Sequence, residues 1–280
     1  MVETIVGYSE FVIALSNIKG WGATRVADFV IKHGYDLEQC LSFLELELDS
    51  NEMSAFKHNL AEAKEELRCN ESKHINSISL FDKRFPKKLC EAKDPVVHLY
   101  YVGDISLLNS KCITVIGTRQ PDNLFIEKGN HISQYFAKKG YTIVSGLALG
   151  CDSIAHKAAL DTKGKTIAIL PSALDKVVPT QNRELAIAIA KNGGLVISEY
   201  SVTSTMNKFN YPKRDRIQSL LSNVSIIIQS TDDGGTMIAA KKSLKDGKRV
   251  FAIHGNKLTD IHDYVDVYSE KDLNEIDKLI

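Results

Sequence analysis

The chain has 280 residues with 35 basic and 35 acidic side chains, and 44% of its residues are hydrophobic, which is the composition of a globular protein. This excludes intrinsic disorder as the main state, and the length is enough for one large domain or two modest ones. No apolar run approaches the roughly 18 to 20 residues that span a bilayer, and the first ten residues carry two acids and no Lys or Arg. We therefore expect a soluble, unsecreted, cytoplasmic protein with no membrane partner.

The cysteines and histidines do not indicate a metal or disulfide site. The five cysteines are odd in number, widely spaced and never form a C-x-x-C pair. This pattern favours reduced thiols over a disulfide framework or a zinc site. The eight histidines are scattered without a ligand spacing, so the sequence predicts no metal and no cofactor.

The zero net charge conceals an uneven distribution of charge along the chain. Residues 1–110 carry 12 basic and 17 acidic side chains, residues 111–257 carry 21 and 11, and residues 258–280 carry 2 and 7. A positive field confined to the middle segment would attract a phosphate-rich partner, although an ordinary solvated surface has the same composition. The asymmetry modestly favours nucleic acid as the partner.

The first 72 residues have a helical pattern and are predicted to form a small all-α domain. Within it, Ile18–Ala27 resembles a helix-hairpin-helix, as found in SAM-like domains, whose glycine turn can present backbone N–H groups to a phosphate. A purely structural turn explains the same pattern equally well. Between Ile75 and Leu108, short β-like runs broken by Pro86, Pro95 and Gly103 predict strands and turns, so we place the domain boundary near residues 70 to 76.

From Cys112 onward, short apolar runs alternate with helix-length segments. The six runs are CITVIG, YTIVSG, KTIAIL, LVISEY, VSIIIQ and RVFAIHG. Apolar runs without polar alternation are typical of strands buried on both faces, and the segments between them have the length of the crossovers that parallel strands need. The sequence therefore predicts a doubly wound, mostly parallel α/β sheet of six strands in an extended Rossmann-like domain over residues 73–257. Residues 258–280 form a predicted acidic tail.

Three loops that follow strands of this sheet combine glycine with hydroxyl groups. Their candidate phosphate-binding residues are Gly117, Thr118 and Arg119, then Ser145 and Gly146, and finally Gly234, Gly235 and Thr236. In such sheets ligands bind beyond the carboxyl ends of the strands, where small residues let backbone N–H groups approach a phosphate. For any one loop, a tight turn is a sufficient explanation. Three such loops at one sheet edge favour phosphate binding. The chain has neither the G-x-G-x-x-G dinucleotide fingerprint nor the G-x-x-x-x-G-K-[ST] P-loop pattern.

The segment from Phe209 to Ile217 gives the densest functional signal. It places Lys213, Arg214 and Arg216 beside Tyr211 and a proline that opens a helix. Cations next to an aromatic ring offer phosphate contacts and a stacking surface, which is the combination that binds single-stranded nucleic acid. We expect the three cations to contact phosphates and Phe209 and Tyr211 to stack on bases. Arg216 is the most plausible exception, because it could instead pair with Asp215 or Asp152 inside the fold.

A hydrolytic Ser/His/Asp set is the enzymatic alternative. Asp152 and His156 lie four residues apart on one predicted helix, and Ser145 is close in sequence. However, Asp152 has the position of a helix N-cap, and the chain has no G-x-S-x-G nucleophile elbow. We therefore predict no catalytic residues.

Four ordered motifs resemble the DprA/Smf family of DNA-processing proteins. Ser145–Asp152 with Ala155-His156 is similar to its S-G-x-A-R-G-I-D…A-H, and Gly117-Thr118-Arg119 fits its G-[ST]-R. Tyr211–Ile217 with Leu221-Ser222 is similar to F-P-x-R-N-R-I…L-S. Gly234–Ala240 and Gly247–Gly255 are similar to S-G-[ST]-x-x-[TA]-A…G-R-x-V-x-A-V-P-G. The resemblance runs from about Ser16 to Gly255.

The resemblance implies a non-enzymatic protein that binds and protects single-stranded DNA, loads the RecA recombinase during natural transformation and forms a homodimer. It implies a helical unit followed by an extended Rossmann-like domain. Three positions depart from the pattern, with Leu149 for arginine, Asp215 for asparagine and His254 for proline. The departures and the absence of room for a C-terminal winged helix indicate a divergent member.

Two further functions remain open from the sequence. Related sheets hydrolyse nucleoside monophosphates with a G-G-x-G-T-x-x-E signature, but Gly235-Thr236 is followed by Met237, Ile238 and Ala239, so the glutamate is missing. A small-nucleotide sensor could use the same loops without turnover.

Overall fold

The computed structural model describes residues 6–231, 234–256, 258, 264–267 and 269–278. Its first part consists of four helices, α1 (Tyr8–Ser16), α2 (Ala23–Lys32), α3 (Leu37–Glu47) and α4 (Ser50–Glu71). Helices α3 and α4 each begin at an aspartate whose side chain caps the first turn. Asp49 accepts hydrogen bonds from the amides of Asn51 and Glu52, and Glu52 returns a bond to the Asp49 amide, so a capping box starts α4.

The rest of the chain forms one nine-stranded sheet with flanking helices. The strands are β1 (Asn76–Ser79), β2 (His98–Gly103), β3 (Cys112–Ile116), β4 (Thr142–Ser145), β5 (Thr166–Ile169), β6 (Leu195–Ser198), β7 (Val224–Ile227), β8 (Arg249–Ile253) and β9 (Tyr264–Val267). The helices are α5 (Lys87–Cys90), α6 (Asn123–Lys138), α7 (Cys151–Asp161), α8 (Arg183–Lys191), α9 (Asn210–Leu221), α10 (Gly235–Lys245) and α11 (Glu270–Asp277). Short 3-10 turns cover Ile105–Asn109 and Thr180–Asn182.

The strand order is β1-β2-β6-β5-β4-β3-β7-β8-β9, and every pair from β6 to β9 is parallel. The chain builds the sheet outward from β3 to β6, then returns to place β7 on the other side of β3. This reversal is the switch point of a doubly wound sheet, so the predicted α/β class is confirmed.

The six predicted strands are β3 to β8, and the sheet has three more. β1 and β2 add antiparallel strands beside β6, where the sequence analysis expected only strands and turns that join two domains. β9 pairs in parallel with β8, and α11 follows it. The described residues of the predicted acidic tail thus contribute a strand and a helix. Over the described ranges, none of the helices has both the length and the apolar character needed to cross a bilayer.

The apolar core lies on both faces of the sheet. On one face, Ile113, Ile143 and Ile226 pack with side chains of α6, α7 and α11. On the other face, Ile169 and Ile197 belong to a core that also contains residues of α9 and of the four N-terminal helices. The N-terminal helices therefore share a continuous core with the sheet and with α9.

Candidate nucleic-acid interface

A cleft of about 480 Å³ opens at the carboxyl edge of the sheet. It lies at the switch point, because its walls include the loops that follow the neighbouring strands β3 and β7. The lining residues are Ile116, Gly117, Thr118, Arg119, Ala148, Asp152, Tyr211, Arg214, Asp215, Gln218, Ser230, Thr231, Gly234, Gly235, Thr236 and Ala239. The structure thus brings together eight of the residues that the sequence analysis selected.

The loop after β3 is held close to the start of α7 by two glycines. A Cβ atom on Gly117 would lie 2.5 Å from the Cys151 sulfur, and one on Gly150 would lie 2.5 Å from the Thr118 carbonyl oxygen. Gly150 also has a φ of 73°, which favours glycine. The Cys151 amide donates to the Thr118 oxygen at 3.1 Å. These close contacts fix the backbone of Thr118 and Arg119 along one wall of the cleft.

The loop after β7 leads into the second glycine element of the cleft. Gly234 caps α10, whose first two residues are Gly235 and Thr236. The first backbone N–H groups of a helix have no partner within it, and the helix dipole favours an anion at this end. All three residues line the cleft. A phosphate in the cleft would therefore meet backbone donors from α10 opposite the β3 loop.

Helix α9 supplies an aromatic ring to the cleft, and the β3 loop supplies a cation beside it. Tyr211, in its first turn, is half-buried and lines the cleft, and the guanidinium carbon of the exposed Arg119 lies 5.9 Å from the centre of its ring. This distance is within the range of a cation–π contact. The arrangement places a stacking surface beside an exposed positive charge, which is the combination that binds single-stranded nucleic acid.

A buried and a half-buried carboxyl group flank one buried guanidinium at the floor of the cleft. Arg214 is 7% exposed, and its Nε lies 2.9 Å from Oδ1 of Asp215 while its Nη1 donates to the Ile169 carbonyl oxygen. Asp152 accepts hydrogen bonds at 3.2 Å from the amides of Gly146 and Ala148. Burial raises the pKa of both Asp152 and Asp215, and the charge of Arg214 opposes that rise. Much of the charge of Arg214 is therefore compensated within the protein.

Five predicted binding residues lie outside the lining of the cleft. Ser145 is buried and donates to the Val115 carbonyl oxygen at 2.6 Å. Gly146 is buried, and a Cβ atom there would overlap the Arg214 guanidinium, so this glycine makes room for that group. Lys213, in the first turn of α9, and Phe209, just before the helix, are exposed, with Phe209 67% exposed. The first two residues support the cleft from behind, while the last two are exposed outside it.

Arg216 is the fifth, and its predicted phosphate contact needs correction. It is 5% exposed, with Nη2 at 2.7 Å from Glu199 and Nε at 3.3 Å from Asp94. The sequence analysis considered a structural role for it but proposed Asp215 or Asp152 as the partner. The helix turns Arg216 away from the cleft, because it lies two residues from Arg214 and so on another face of α9. We assign Arg216 to the structural framework.

The Ser/His/Asp set considered from the sequence does not assemble. The Ser145 hydroxyl donates to a main-chain oxygen, and Nδ1 of the fully buried His156 lies 2.6 Å from the Thr166 hydroxyl. Burial lowers the pKa of His156 to about 3. Asp152 lies in the first turn of α7, whose N-cap is Gly150 rather than Asp152 as predicted. Asp152 holds the β4–α7 loop through the amides of Gly146 and Ala148, whereas Ser145 and His156 bond to β3 and β5.

Several lining residues were missed by the sequence analysis. Gln218 lies seven residues after Tyr211 and three after Asp215, so helical periodicity could have placed the three on one face of α9. Its amide, in the orientation that satisfies its neighbours, accepts from Nη1 of Arg214 at 3.2 Å and from the Gly146 amide at 2.9 Å. Ser230 and Thr231 lie three and four residues after the end of β7, where the rule about strand ends would have found them.

The fold and the cleft define a Rossmann-like protein with a cleft at its switch point. The family model described as DNA recombination-mediator protein A matches residues 76–263. The chain belongs to this family, which confirms the DprA/Smf resemblance seen in the motifs. Among its relatives, DNA processing protein DprA of Bacillus subtilis is 34% identical over 65% of this chain, and protein Smf of Synechocystis is 35% identical over 67%.

The matched region is a part of those relatives. It covers 61% of the Bacillus protein and 48% of the Synechocystis protein. Two solved structures are also similar. DNA processing protein A of Streptococcus pneumoniae has a TM-score of 0.69 at 26% identity, with 96% of this chain and 93% of that one covered. The Helicobacter pylori protein, described for its single-stranded DNA binding mode, has a TM-score of 0.65 at 30% identity, with 73% and 97% covered.

Proposed function

We propose that the protein binds single-stranded DNA, without catalysis, at the cleft between the loops of β3 and β7. The observation that carries the proposal is the joint placement of Arg119, Tyr211 and the two glycine loops around one cleft. A phosphate there can accept backbone hydrogen bonds while an adjacent base stacks on the tyrosine ring. The similarity to a Helicobacter pylori protein with a single-stranded DNA binding mode supports the same ligand.

The strand leaves the cleft along the start of α9. Lys213 is exposed there, and the exposed Lys208 lies 5.4 Å from the centre of the Phe209 ring. Outside the cleft, these residues pair a cation with an aromatic ring, as Arg119 and Tyr211 do inside it. A path from the β3 loop across α9 therefore offers successive phosphate and stacking contacts.

A non-enzymatic role is supported by the polar groups beside the cleft. Asp152 is held by two backbone amides, Ser145 by a main-chain oxygen, and Asp215 by Arg214. Each has a structural partner, and Met237 to Ala239 occupy the positions where a nucleotide hydrolase would carry its glutamate.

Loading of RecA and homodimer formation are part of the same proposal, because the family resemblance implies both. Light scattering at tens of micromolar protein tests the dimer, and a strictly monomeric mass would refute it.

The binding site is tested with fluorescence anisotropy of a labelled short oligo-dT. We expect Arg119→Ala combined with Lys213→Ala to weaken binding by about tenfold or more, because two charged contacts are lost. The matched control replaces Lys138 and Lys191, which are exposed in the last turns of α6 and α8 and thus at the opposite edge of the sheet. Equal affinity of both double variants, with wild-type circular dichroism, would refute the site.

A small-nucleotide sensor is the second candidate, favoured by the volume of the cleft. At about 480 Å³, the cleft falls within the range of sites for small organic ligands. A thermal shift assay separates the two functions. Stabilisation by mononucleotides and none by oligo-dT would select the sensor, and the reverse would select the DNA-binding protein.

A further inference from the structure

We propose that the cleft selects the base of the nucleotide it holds, and that Asp215 makes it prefer guanine. The inference rests on the proposed function and adds a specificity to the same site. It follows from the different chemistry of the two walls of the cleft. One wall consists of the glycine loops, whose backbone N–H groups suit a phosphate, and the other is a face of α9.

The face of α9 carries Tyr211, Asp215 and Gln218, which are spaced four and three residues apart and all line the cleft. Residues at this spacing lie above one another on a helix. A base stacked on Tyr211 would therefore have its edge directed along the helix, one turn on, toward the Asp215 carboxylate. Gln218 is 2% exposed and engaged by Arg214 and Gly146, so Asp215 is the polar group on this face with acceptor capacity for a ligand.

The charge of Asp215 determines which part of a nucleotide faces it. Its carboxylate forms an ion pair with Arg214 at 2.9 Å, and this guanidinium also lies near the buried Asp152. With two carboxylates and one cation, this wall has no net positive charge. A phosphate is therefore repelled from it and attracted to Arg119 on the β3 loop. The nucleotide is thus oriented with its phosphate on the glycine loops and its base against α9.

A carboxylate accepts hydrogen bonds and donates none, and each of its oxygens can accept more than one. Guanine presents two adjacent donors, N1–H and the N2 amino group, on its Watson–Crick edge. Cytosine and adenine present one amino group beside an acceptor nitrogen, and thymine presents one N–H between two carbonyl oxygens. The carboxylate therefore matches guanine best and meets acceptors on each of the other bases. The family pattern that the chain resembles has asparagine at this position. An asparagine amide can donate as well as accept, so it does not discriminate between the bases in this way.

The test is a competition experiment against labelled oligo-dT at pH 8, chosen because burial raises the pKa of Asp215 and the group must be ionised. The competitors are unlabelled oligo-dT and the same strand with one central dG, deoxyinosine, dA or dC. We expect the dG strand to compete about tenfold better than oligo-dT, the size of effect seen for paired base contacts. Deoxyinosine lacks the N2 amino group and should fall between dG and dT.

Asp215→Asn should abolish the preference for dG and tighten binding of oligo-dT, because the repelling charge is gone. Asp161→Asn, at an exposed acid in the last turn of α7, should keep the preference. Guanosine monophosphate, added as a further competitor, distinguishes a free nucleotide from a strand. If it competes as well as the dG strand, the base selectivity holds and the ligand is the free nucleotide.

Equal competition by the dG, deoxyinosine and dT strands on the wild-type protein would overturn the inference while single-stranded DNA binding stands. Failure of every oligonucleotide and of guanosine monophosphate to bind would refute the proposed function itself. The wild-type comparison decides the matter even if the Asp215 variant does not fold.

Discussion

Arg216 shows that a cation in a motif predicted to bind nucleic acid can belong to the framework of the fold. Its guanidinium bonds to Glu199, a residue whose pKa burial raises and Arg216 lowers. We expect Arg216→Ala to lower the free energy of unfolding by about 3 kcal/mol, because Glu199 is left partly buried without its cation. Affinity for oligo-dT, measured well below the melting temperature, should be retained.

The control for Arg216 is Arg84→Ala, which removes an ion pair with Asp82 in which the arginine side chain is 56% exposed. An exposed pair of this kind contributes under about 1 kcal/mol. Chemical denaturation of both variants gives the comparison. A loss of DNA affinity without a loss of stability in Arg216→Ala would return this residue to the binding site.

A second effect at the residue scale concerns the buried histidine of β2. Burial lowers the pKa of His98 to about 3, whereas in the unfolded chain it is about 6.5. Between these values the unfolded state binds a proton that the folded state does not, so His98 destabilises the fold as the pH falls below about 6.5. From pH 7 to pH 5 this loss amounts to about 2 kcal/mol.

His98→Phe keeps an aromatic ring against Tyr100, which His98 contacts edge-on at 4.7 Å between centroids, and removes the titration. We expect the variant to lose about 2 kcal/mol less stability than the wild type between pH 7 and pH 5, as measured by urea unfolding at each pH. His156 remains in both proteins and cancels in the comparison. Parallel pH profiles would contradict the assignment.

At the scale of elements, α9 connects the core to the candidate site. Its buried residues Ile217, Leu220 and Leu221 join the core shared with the N-terminal helices, and its cleft-facing side carries Tyr211. We expect Tyr211→Ala to weaken binding of oligo-dT by about 1 to 3 kcal/mol with an unchanged salt dependence, since stacking releases no counterions. Tyr211→Phe should bind like the wild type. A steeper or flatter salt dependence in Tyr211→Ala would argue against stacking.

The elements also show what the sequence could and could not predict. The strands β3 to β8 could be predicted because they are buried almost throughout and therefore form mainly apolar runs without polar alternation. β9, with the sequence YVDV, lies at the sheet edge inside an acidic segment, and Val265 is 57% exposed, so no buried run indicates it. Strand ends predicted the cleft loops, but the burial of Arg216 depends on Glu199 and Asp94, which only the tertiary fold brings to α9.

For the whole molecule, the continuous core bears on the predicted division at residue 72. Phe11, Leu15 and Trp21 share a core with Ile78 and Leu99 of the first two strands. We expect a fragment of residues 73–280 to melt at a lower temperature than the full chain and to bind 1-anilinonaphthalene-8-sulfonate, because this apolar face becomes exposed. A fragment with the melting temperature of the full chain and no dye binding would show two independent domains.

The central claim is that single-stranded DNA crosses the carboxyl edge of the sheet, with phosphates near Arg119 and Lys213. The salt dependence of oligo-dT affinity tests it most directly, because each phosphate contact contributes a slope of roughly −0.7 in log K against log salt. We predict that Arg119→Ala with Lys213→Ala flattens this slope by about 1.4, whereas the Lys138 and Lys191 double variant keeps the wild-type slope. An identical slope in all three proteins would contradict the claim.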